Sequence, residues 1–355
     1  MRALFFLNSL HGGGTEKVCL NLAKRLYELN IESDFVTVFN KESDYSIPDY
    51  IDVFTVGLKE PLLTRLPMIR SIFKVNQFIS GKEYVLITAH LNPAQNLASL
   101  TKVKEKTLYV MHVPQYLADK NNSQRFRKNL RNFYQGKKLI TVSNGLQNEL
   151  YYKYGIARKD IRTIYNPCDV KNLRSKEKTI SPGRKPYFLF MGRLEEEKNP
   201  HMALELYYKG CFYKNYDLIY LGKGSLELSL RKRITEIGME DHVFIAGFQK
   251  EPAQWLLNAS LLLSCSRQEG FALNIAEALI CGIPVVAADC PYGPREILID
   301  ELSEYLIDPE AEFDKSISVI ASALKRYPEI TEKYYGKFDD AVVLQNYLEA
   351  WRKWF

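Results

Sequence analysis

The chain lacks any long hydrophobic run and any paired cysteine motif. No continuous apolar stretch in its 355 residues approaches the roughly 18 residues that a membrane-spanning helix needs. The apolar start, residues 1–10, is too short for a signal peptide and has no cleavage site, so it is expected to form a first strand. The six cysteines are scattered without a Cys-x-x-Cys pair. We therefore expect them to be reduced core residues in a cytoplasmic protein.

Several catalytic and cofactor motifs are also missing. There is no Asp-x-Asp triplet and no His or Cys cluster at ligand spacing, so neither a metal nor another cofactor is expected. The glycine-rich stretch 11–16 completes neither the dinucleotide fingerprint G-x-G-x-x-G nor a P-loop. It is similar to a hydrolase oxyanion hole, but the chain has no G-x-S-x-G elbow to use one.

What the chain does have is alternation of short apolar runs with helical stretches. Its length and its 46% hydrophobic content favour two domains over one. The alternation predicts parallel sheets with crossover helices in each half, which is an α/β fold. The predicted strands are 2–8, 34–39, 84–89, 107–111, 138–142, 162–166, 187–191, 217–221, 243–246, 261–264 and 284–288.

A polar stretch at 171–186, which includes Ser-Pro-Gly-Arg-Lys-Pro at 181–186, is the best candidate linker. We predict an N-terminal domain at 1–170, a C-terminal domain at 171–335 and a final helix at 336–355. That helix carries an apolar stripe and is expected to cross back and dock on the N-terminal domain. The stripe consists of Val343, Leu344, Tyr347, Leu348, Trp351 and Trp354.

Positive charge is concentrated in the first half. Residues 1–170 hold 24 Lys and Arg against 15 Asp and Glu, whereas 171–355 hold 24 against 27. Basic segments at 102–106, 125–138 and 62–79 are typical of contact with an anionic membrane surface. Ordinary solvated helix faces explain them equally well. Nucleic acid is not expected, because no basic-aromatic recognition motif accompanies the charge.

The most informative stretch holds two carboxylates, Glu269 and Glu277, eight residues apart. The run 260–264 is typical of a buried strand and 272–281 of a helix, so the pair brackets a strand-loop-helix junction. Free N–H groups at such a junction bind phosphate. Each Glu can then accept hydrogen bonds from hydroxyl groups at one end of a ligand whose middle is the phosphate. A nucleotide sugar, with a ribose at one end and a hexose at the other, is such a ligand. Taken alone, the pair is also common on solvated helix surfaces.

Other residues at predicted strand ends are candidates for the same site, because ligands of doubly wound sheets lie outside the carboxyl ends of the strands. Gly13 and Gly14 allow close backbone approach before a helix predicted at 17–29, although a structural turn is the alternative. Arg193 and Lys198 have the charge and the donors to bind a diphosphate. The alternative is that they form salt bridges within a surface loop. His112 follows a predicted strand, at a position where its side chain would face the site. The alternative is that it is a structural histidine.

Read together, these pieces resemble the retaining glycosyltransferases of family 4. The matching residues are Gly-Arg-Leu-x-x-x-Lys at 192–198, Leu-Gly-Lys-Gly-Ser at 221–225, Val-Phe-Ile-Ala-Gly at 243–247, the stretches 266–278, 282–289 and 293–297, and in the first half 13–16 and 165–169. The resemblance implies the GT-B architecture, two Rossmann-like doubly wound parallel-sheet domains facing across a cleft. It covers most of the second half and only a few points of the first.

The resemblance also implies residue roles. Arg193 and Lys198 neutralise the departing diphosphate, Glu277 binds the donor ribose, and His112 contacts the transferred sugar near the reacting carbon. On this basis the catalytic residues are Glu269, His112, Arg193 and Lys198. The donor-binding residues are Gly13, Gly14, Arg193, Lys198, Phe248, Glu269, Gly270, Phe271, Ala272, Leu273 and Glu277.

The stretch 289–298 is similar to that of bacterial enzymes that use UDP-hexoses or UDP-N-acetylhexosamines in surface polysaccharide assembly. The resemblance therefore implies a UDP-sugar donor and a lipopolysaccharide, lipid-linked or polysaccharide acceptor, with metal-free, front-face retention. The expected location is cytoplasmic, peripheral on the inner face of the membrane. Two alternatives remain: a nucleotide-sugar epimerase of similar fold, and a non-catalytic nucleotide-sugar-binding protein.

Overall fold

The computed structural model describes residues 1–11, 13–43, 45–58, 65–115, 123–178, 185–309 and 313–355. It divides into two compact units. The first comprises Met1–Cys168 together with Phe338–Phe355, and the second comprises Asp169–Lys337. Each unit contains one parallel sheet with helices, as the alternating sequence pattern predicts.

The first unit holds a seven-stranded, all-parallel sheet in the order β3-β2-β1-β4-β5-β6-β7. Its central strand β1 is buried almost throughout, because both of its faces are covered. The order reverses between β1 and β4, where Phe5 pairs with Thr88. The strands are β1 Arg2–Leu7, β2 Glu32–Thr37, β3 Ile51–Thr55, β4 Tyr84–His90, β5 Leu108–Met111, β6 Lys138–Thr141 and β7 Ile161–Thr163.

The second unit holds a six-stranded, all-parallel sheet in the order β10-β9-β8-β11-β12-β13. The order reverses between β8 and β11, so this sheet repeats the doubly wound plan of the first. Its strands are β8 Tyr187–Met191, β9 Asp217–Leu221, β10 Val243–Gly247, β11 Leu261–Ser264, β12 Val285–Ala288 and β13 Leu306–Ile307.

Helices connect most successive strands in both units; the described residues between β2 and β3 contain none. In the first they are α1 Gly14–Glu28, α2 Arg65–Phe78, α3 Ala94–Ala98, α4 Gln124–Tyr134 and α5 Asn144–Asn148. In the second they are α6 Val170–Ser175, α7 Pro200–Lys209, α8 Glu227–Glu236, α9 Ala253–Asn258, α10 Leu273–Ile280, α11 Pro294–Ile297, α12 Phe313–Arg326 and α13 Glu332–Tyr335. Short 3-10 turns and one π-helical turn, Glu149–Lys153, complete the connections.

The last helix, α14 Asp340–Trp354, packs on α1 and β4 of the first unit. Val343, Leu344 and Tyr347 of its apolar stripe are buried. Trp351 Nε1 donates a hydrogen bond to the carbonyl of Lys106, 2.9 Å away. Burial of this stripe ties the end of the chain to the seven-stranded sheet. Among the described residues, no helix is both long enough and apolar enough to cross a bilayer.

Differences from the sequence-based expectations concern exposed or short elements. The strand β3 was not predicted, because only Ile51 of it is buried and the apolar pattern is weak. The two-residue β13 is too short to leave a pattern. Helix α1 begins at Gly14 rather than at Lys17. Residues 179–184 of the expected linker lie outside the described residues.

The cysteines follow the core prediction with two departures. Cys19, Cys168, Cys265 and Cys290 are buried, whereas Cys281 is partly exposed. The remaining one, at position 211, is exposed and is therefore not a core residue as predicted. It stands at a left-handed turn after α7, where the backbone leaves the core.

Candidate functional site

The carboxylate and the cation predicted to act together do meet, in the second unit. Lys198 lies in the loop after β8 and Glu269 in the loop after β11, and these strands are neighbours at the reversal of strand order. Lys198 Nζ donates a hydrogen bond to Glu269 Oε1. Ser266 Oγ donates to the same oxygen from 2.7 Å. Glu269 Oε2 accepts no hydrogen bond from any residue in the described ranges, so it remains available as an acceptor.

The loop that carries Lys198 is fixed by bonds to its neighbours. Glu195 accepts hydrogen bonds from the backbone N–H of Ser225, at 2.8 Å, and from its hydroxyl. These bonds lower the pKa of Glu195. The backbone N–H of Arg267 donates to the carbonyl of Glu197 from 2.8 Å. The loops after β8, β9 and β11 therefore form one connected surface.

A glycine allows one of these loops to close against the next. Gly293, with φ +56°, lies beside the turn that carries Glu269, and an added Cβ would stand 2.6 Å from the carbonyl oxygen of Phe271. Only a glycine fits this contact without displacement. The backbone after β12 thus supports the segment Glu269 to Phe271 from behind.

The start of α10 presents unpaired backbone N–H groups. Ala272 has a left-handed conformation, φ +73°, and gives the helix no side-chain cap. The N–H groups of Leu273 and Asn274 bond to no acceptor in the described part of the chain. Asn274 Nδ2 donates to the carbonyl of Met191, 2.9 Å away, which ties the helix start to the end of β8. A strained residue and free N–H groups at a helix start favour binding of an anion.

Glu277 occupies the second turn of α10 and is buried. Phe271, before the helix, is buried as well. Burial of a carboxylate so close to free N–H groups argues against the solvated-surface interpretation of the Glu269 and Glu277 pair.

Arg193 and Phe248 are less enclosed. The Arg193 side chain is 65% exposed and pairs with Glu197 of its own loop. Phe248 follows β10 and is 38% exposed. The structure places both at the same edge of the sheet as Lys198, but in this state neither contributes to the Lys198 and Glu269 pair. Their assignment to the donor stays a prediction.

In the first unit, the glycine-rich turn leads directly into a helix. Gly13 is the N-cap residue of α1 and Gly14 is its first residue. The Glu16 side chain folds back over Gly13, where a Cβ would meet its carboxylate oxygen Oε2. Burial raises the pKa of Glu16. The start of α1 therefore combines a glycine backbone, which carries no side chain, with the buried carboxylate of Glu16.

His112 has a partner that sequence reasoning missed. His112 Nε2 lies 2.8 Å from His90 Nδ1, and the two rings stack with centroids 5.1 Å apart. His90 Nε2 lies 2.9 Å from Thr88 Oγ1. His90 ends β4 and His112 follows β5. The carboxyl ends of these two paired strands lie at the same edge of the sheet, which brings the two histidines together. The available signal was the alternation Thr88-Ala-His90, which places both polar side chains on one face of β4.

Both imidazoles are neutral at physiological pH. His90 is fully buried and His112 is 8% exposed. Desolvation by burial lowers the pKa of His112 to about 3. Burial, and secondarily the neighbouring His112, lowers the pKa of His90 well below its usual value. The pair therefore acts through hydrogen bonds and not through charge.

The described residues contain no group of three or more His, Cys, Asp or Glu placed to hold a metal ion. Metal independence of the reaction stays a prediction.

The sequence matches two family models. Residues 171–337 match the family described as glycosyl transferases group 1, and residues 12–172 match the model described as glycosyltransferase family 4. A Campylobacter jejuni enzyme, N-acetylgalactosamine-N,N'-diacetylbacillosaminyl-diphospho-undecaprenol 4-alpha-N-acetylgalactosaminyltransferase, is 25% identical over 86% of this chain and 86% of its own. The lipopolysaccharide 1,6-galactosyltransferase of Salmonella typhimurium is 28% identical over 59% of this chain and 60% of its own.

Solved structures share the fold. The crystal structure of Anabaena HepE in complex with UDP-glucose has a TM-score of 0.74 and 20% identity over 99% of this chain and 100% of that one. The lipopolysaccharide outer core galactosyltransferase WaaB in its apo form has a TM-score of 0.72 and 20% identity over 99% of both chains. These matches confirm the predicted fold class. The two family models together run from residue 12 to residue 337, and on this ground the chain belongs to the glycosyl transferases group 1, sugar-transferring enzymes of GT-B architecture.

Proposed function

We propose that the chain transfers a hexose or N-acetylhexosamine from a UDP-sugar to a hydroxyl of a lipopolysaccharide, lipid-linked or polysaccharide acceptor, with retention and without a metal. The observation that carries the proposal is the Lys198 and Glu269 pair at the strand reversal, next to the free N–H groups that begin α10. Cations and N–H groups at one point suit a diphosphate, and a carboxylate beside them suits sugar hydroxyls.

The nature of the donor is supported by solved relatives. HepE has been crystallised with UDP-glucose and with UDP and glucose. Relatives named for galactosyl and N-acetylgalactosaminyl transfer support a hexose or its N-acetyl derivative. Those names also support a glycolipid or polysaccharide acceptor.

In the proposed reaction the bond between the sugar C1 and the diphosphate oxygen breaks, and negative charge grows on the diphosphate. Lys198 and Arg193 stabilise that charge, together with the N–H groups of Leu273 and Asn274. The acceptor oxygen bonds to C1 on the face that the diphosphate leaves, and its proton passes to the departing phosphate. No separate catalytic base is then required.

The other assigned residues bind the donor through hydrogen bonds and transfer no proton to or from it. Glu269 Oε2 accepts a hydrogen bond from a sugar hydroxyl while Oε1 remains paired with Lys198. Glu277 accepts from the ribose hydroxyls. In the first unit, Gly13 and Gly14 approach the diphosphate and His112 contacts the sugar.

A donor panel tests this function. Purified protein is incubated with UDP-glucose, UDP-galactose and their N-acetyl forms, with and without a lipid extract from the native membrane, and free UDP is measured. We expect UDP release that depends on the extract and persists in chelator. The product's anomeric coupling constant, read by NMR, should match that of the donor sugar.

The same assay separates the alternatives. An epimerase releases UDP without any acceptor or interconverts the donors. A non-catalytic binder retains donor affinity but transfers no labelled sugar. Turnover abolished by chelator contradicts the metal-free step, and an inverted product contradicts retention.

We also propose a peripheral position on an anionic, cytoplasmic membrane face. Helix α2 exposes two apolar side chains one turn apart, Ile69 at 65% and Phe73 at 71%. Arg70 and Lys74 follow each of them directly on the same helix. Exposed apolar groups flanked by cations are typical of an interfacial helix.

Vesicle sedimentation tests this position. The protein should co-sediment with vesicles containing phosphatidylglycerol, and salt should weaken the binding because the cations are screened. The double variant Ile69→Ser, Phe73→Ser should lose it. Leu228→Ser is the matched control, since Leu228 is an exposed apolar residue of α8 in the second unit. Equal sedimentation of wild type and double variant contradicts a role for α2.

A further inference from the structure

A row of three hydrogen-bonded side chains runs from inside β4 to the end of β5. Thr88 Oγ1 bonds to His90 Nε2 at 2.9 Å, and His90 Nδ1 bonds to His112 Nε2 at 2.8 Å. His112 Nδ1 bonds to no residue within the described ranges. The row therefore has a closed end at Thr88 and an open end at His112 Nδ1.

The number of protons in the row is fixed. Both rings are neutral because burial disfavours their charged forms. Each neutral imidazole carries one N–H. The contact between His90 Nδ1 and His112 Nε2 needs one proton, not two and not none. Two arrangements satisfy this: both rings protonated at Nδ1, or both protonated at Nε2.

Thr88 selects between the two arrangements. Its side chain is fully buried, and His90 Nε2 is the sole partner of its hydroxyl among the described residues. If His90 carried its proton on Nε2, the Thr88 hydroxyl hydrogen would have no acceptor. A buried donor without an acceptor is unfavourable. The arrangement in which Thr88 donates to Nε2 leaves no buried hydrogen unpaired.

We propose that His90 is a positioning residue that holds His112 in its Nδ1–H tautomer, so that His112 presents an N–H donor to an oxygen of the transferred sugar. Thr88 donates to His90, His90 Nδ1–H donates to His112 Nε2, and His112 Nδ1–H points out of the row. The ring of Phe5 supports His90, with centroids 6.3 Å apart and planes 26° apart. The ligand's role in this proposal rests on the proposed function, but the tautomer itself does not.

The tautomer has its own measurement. The chain has five histidines, so the side-chain ¹⁵N shifts and two-bond couplings of each can be assigned from single His→Gln variants. We expect His112 in the free wild-type protein to show a protonated Nδ1 and an acceptor-type Nε2. A His112 ring protonated at Nε2 would overturn the proposal.

Two variants show whether the row sets that tautomer. Thr88→Val keeps the shape of the side chain and removes the hydroxyl. His90→Phe keeps an aromatic ring and removes the donor to His112. Both should convert His112 from one tautomer to a mixture, whereas the half-buried ring of His201 in the other unit should be unchanged. An unchanged His112 spectrum in both variants would show that the row has no such role.

Kinetics show whether the tautomer matters for transfer. His90→Phe should lower kcat by roughly tenfold, the loss of about one neutral hydrogen bond. His90→Gln should restore most of it, because a glutamine amide N–H can donate to His112 Nε2. UDP affinity, measured by calorimetry, should be equal in all three proteins. Equal kcat in the Phe and Gln variants would reject the positioning role.

The two failures are distinguishable. If the wild-type protein transfers no sugar from any donor, the proposed function fails while the ¹⁵N spectra still decide the tautomer. If the wild type transfers sugar and His112 is protonated at Nε2, the tautomer inference fails and the function stands. Thr88→Val serves as the kinetic variant if His90→Phe does not fold.

Discussion

The two units repeat one topology but place different kinds of polar groups at the carboxyl ends of their strands. In the six-stranded unit that point holds an ion pair, Lys198 with Glu269, beside the free N–H groups of α10. In the seven-stranded unit two neutral, buried imidazoles meet one strand further along: His90 ends β4, a strand of the reversal, and His112 follows the neighbouring β5. The carboxyl edge of the sheet thus carries a charged surface in one unit and an uncharged hydrogen-bonded row in the other.

Under the proposed function, the charged groups are assigned to the diphosphate of a sugar donor and the neutral groups to its sugar. A diphosphate carries charge that increases as its bond to the sugar breaks, so fixed cations and N–H groups stabilise the transition state more than the ground state. A sugar is neutral, and a neutral donor or acceptor in a desolvated site recognises its hydroxyl groups with direction. Loss of the charged groups should therefore affect turnover most, and loss of the neutral groups should affect stability and orientation.

Replacement of Lys198 by Ala should give the largest effect. The cation at the strand reversal is lost and Glu269 is left without its ion pair, so kcat should fall by roughly 10²-fold or more. UDP release with saturating donor and acceptor measures it. Lys232→Ala is the matched control, because Lys232 is an exposed, ion-paired lysine of α8 in the same unit. Turnover within twofold of wild type would remove Lys198 from the mechanism, and with it the charged side of the comparison.

The neutral side of the comparison predicts a dependence of stability on pH. An unfolded histidine has a pKa of about 6.5, whereas that of His112 in the folded protein is about 3. Between these values the unfolded chain binds more protons than the folded one. The free energy of unfolding should therefore fall as the pH falls below about 6.5, by up to roughly 1.4 kcal/mol per pH unit for each buried histidine. Above that pH the two histidines contribute no slope.

Urea unfolding at pH 7.5, 6.5 and 5.5 checks this slope. Trp351 and Trp354 of α14 report on the seven-stranded unit by fluorescence, and a Trp255→Phe background removes the signal of the other unit. In His90→Gln the slope below pH 6.5 should be smaller, because one buried histidine is gone. A flat wild-type profile would mean that the imidazoles are not buried as neutral rings.

A third test compares two glycines of the six-stranded unit. Gly293 and Gly282 both have a positive φ, but an added Cβ at Gly293 meets the carbonyl of Phe271, whereas at Gly282 it meets nothing within 4 Å. Gly282→Ala should lower the free energy of unfolding by about 1 kcal/mol through backbone strain, and Gly293→Ala by about 2–3 kcal/mol through strain and contact. Urea unfolding followed by Trp255 fluorescence measures both.

Activity distinguishes these two variants further. The segment displaced in Gly293→Ala carries Glu269, so its kcat should fall while that of Gly282→Ala stays near wild type. Equal losses of stability and activity in both variants would show that the Gly293 contact does not support the ion pair.

The sequence predicts features that depend on neighbouring residues better than features that depend on residues far apart in the chain. The strands 187–191, 217–221 and 261–264 were predicted with their observed limits, because central parallel strands are buried on both faces and consist of short apolar runs. The edge strand β3 was not predicted, because only its first residue, Ile51, is buried and the other four are partly or fully exposed.

In the site, too, local features could be predicted and long-range contacts could not. Glu269, Lys198 and the start of α10 could be named from loop positions and the family resemblance, because each follows a recognisable strand. Their contacts could not. Lys198 and Glu269 are 71 residues apart, and His90 and His112 are 22 apart. Such pairs can be predicted only when the strand order is known. The alternation Thr88-Ala-His90 marks one polar face of β4, but it does not indicate that His112 lies beside it.

A loss of donor affinity with little loss of turnover is expected at Glu277, which is on the charged side of the comparison but is not assigned to the bond that breaks. Glu277→Gln keeps the size of the side chain and removes its charge. Hydrogen bonds from ribose hydroxyls to a carboxylate are stronger than those to an amide by about 1–1.5 kcal/mol, so UDP affinity measured by calorimetry should fall by roughly tenfold. The kcat at saturating donor should change little, because the ribose bonds are equal in the ground state and the transition state. Glu236→Gln on the exposed face of α8 is the control. Unchanged UDP affinity removes the ribose role, whereas a loss of kcat at equal affinity would place Glu277 with Lys198 among the groups that act on the departing diphosphate.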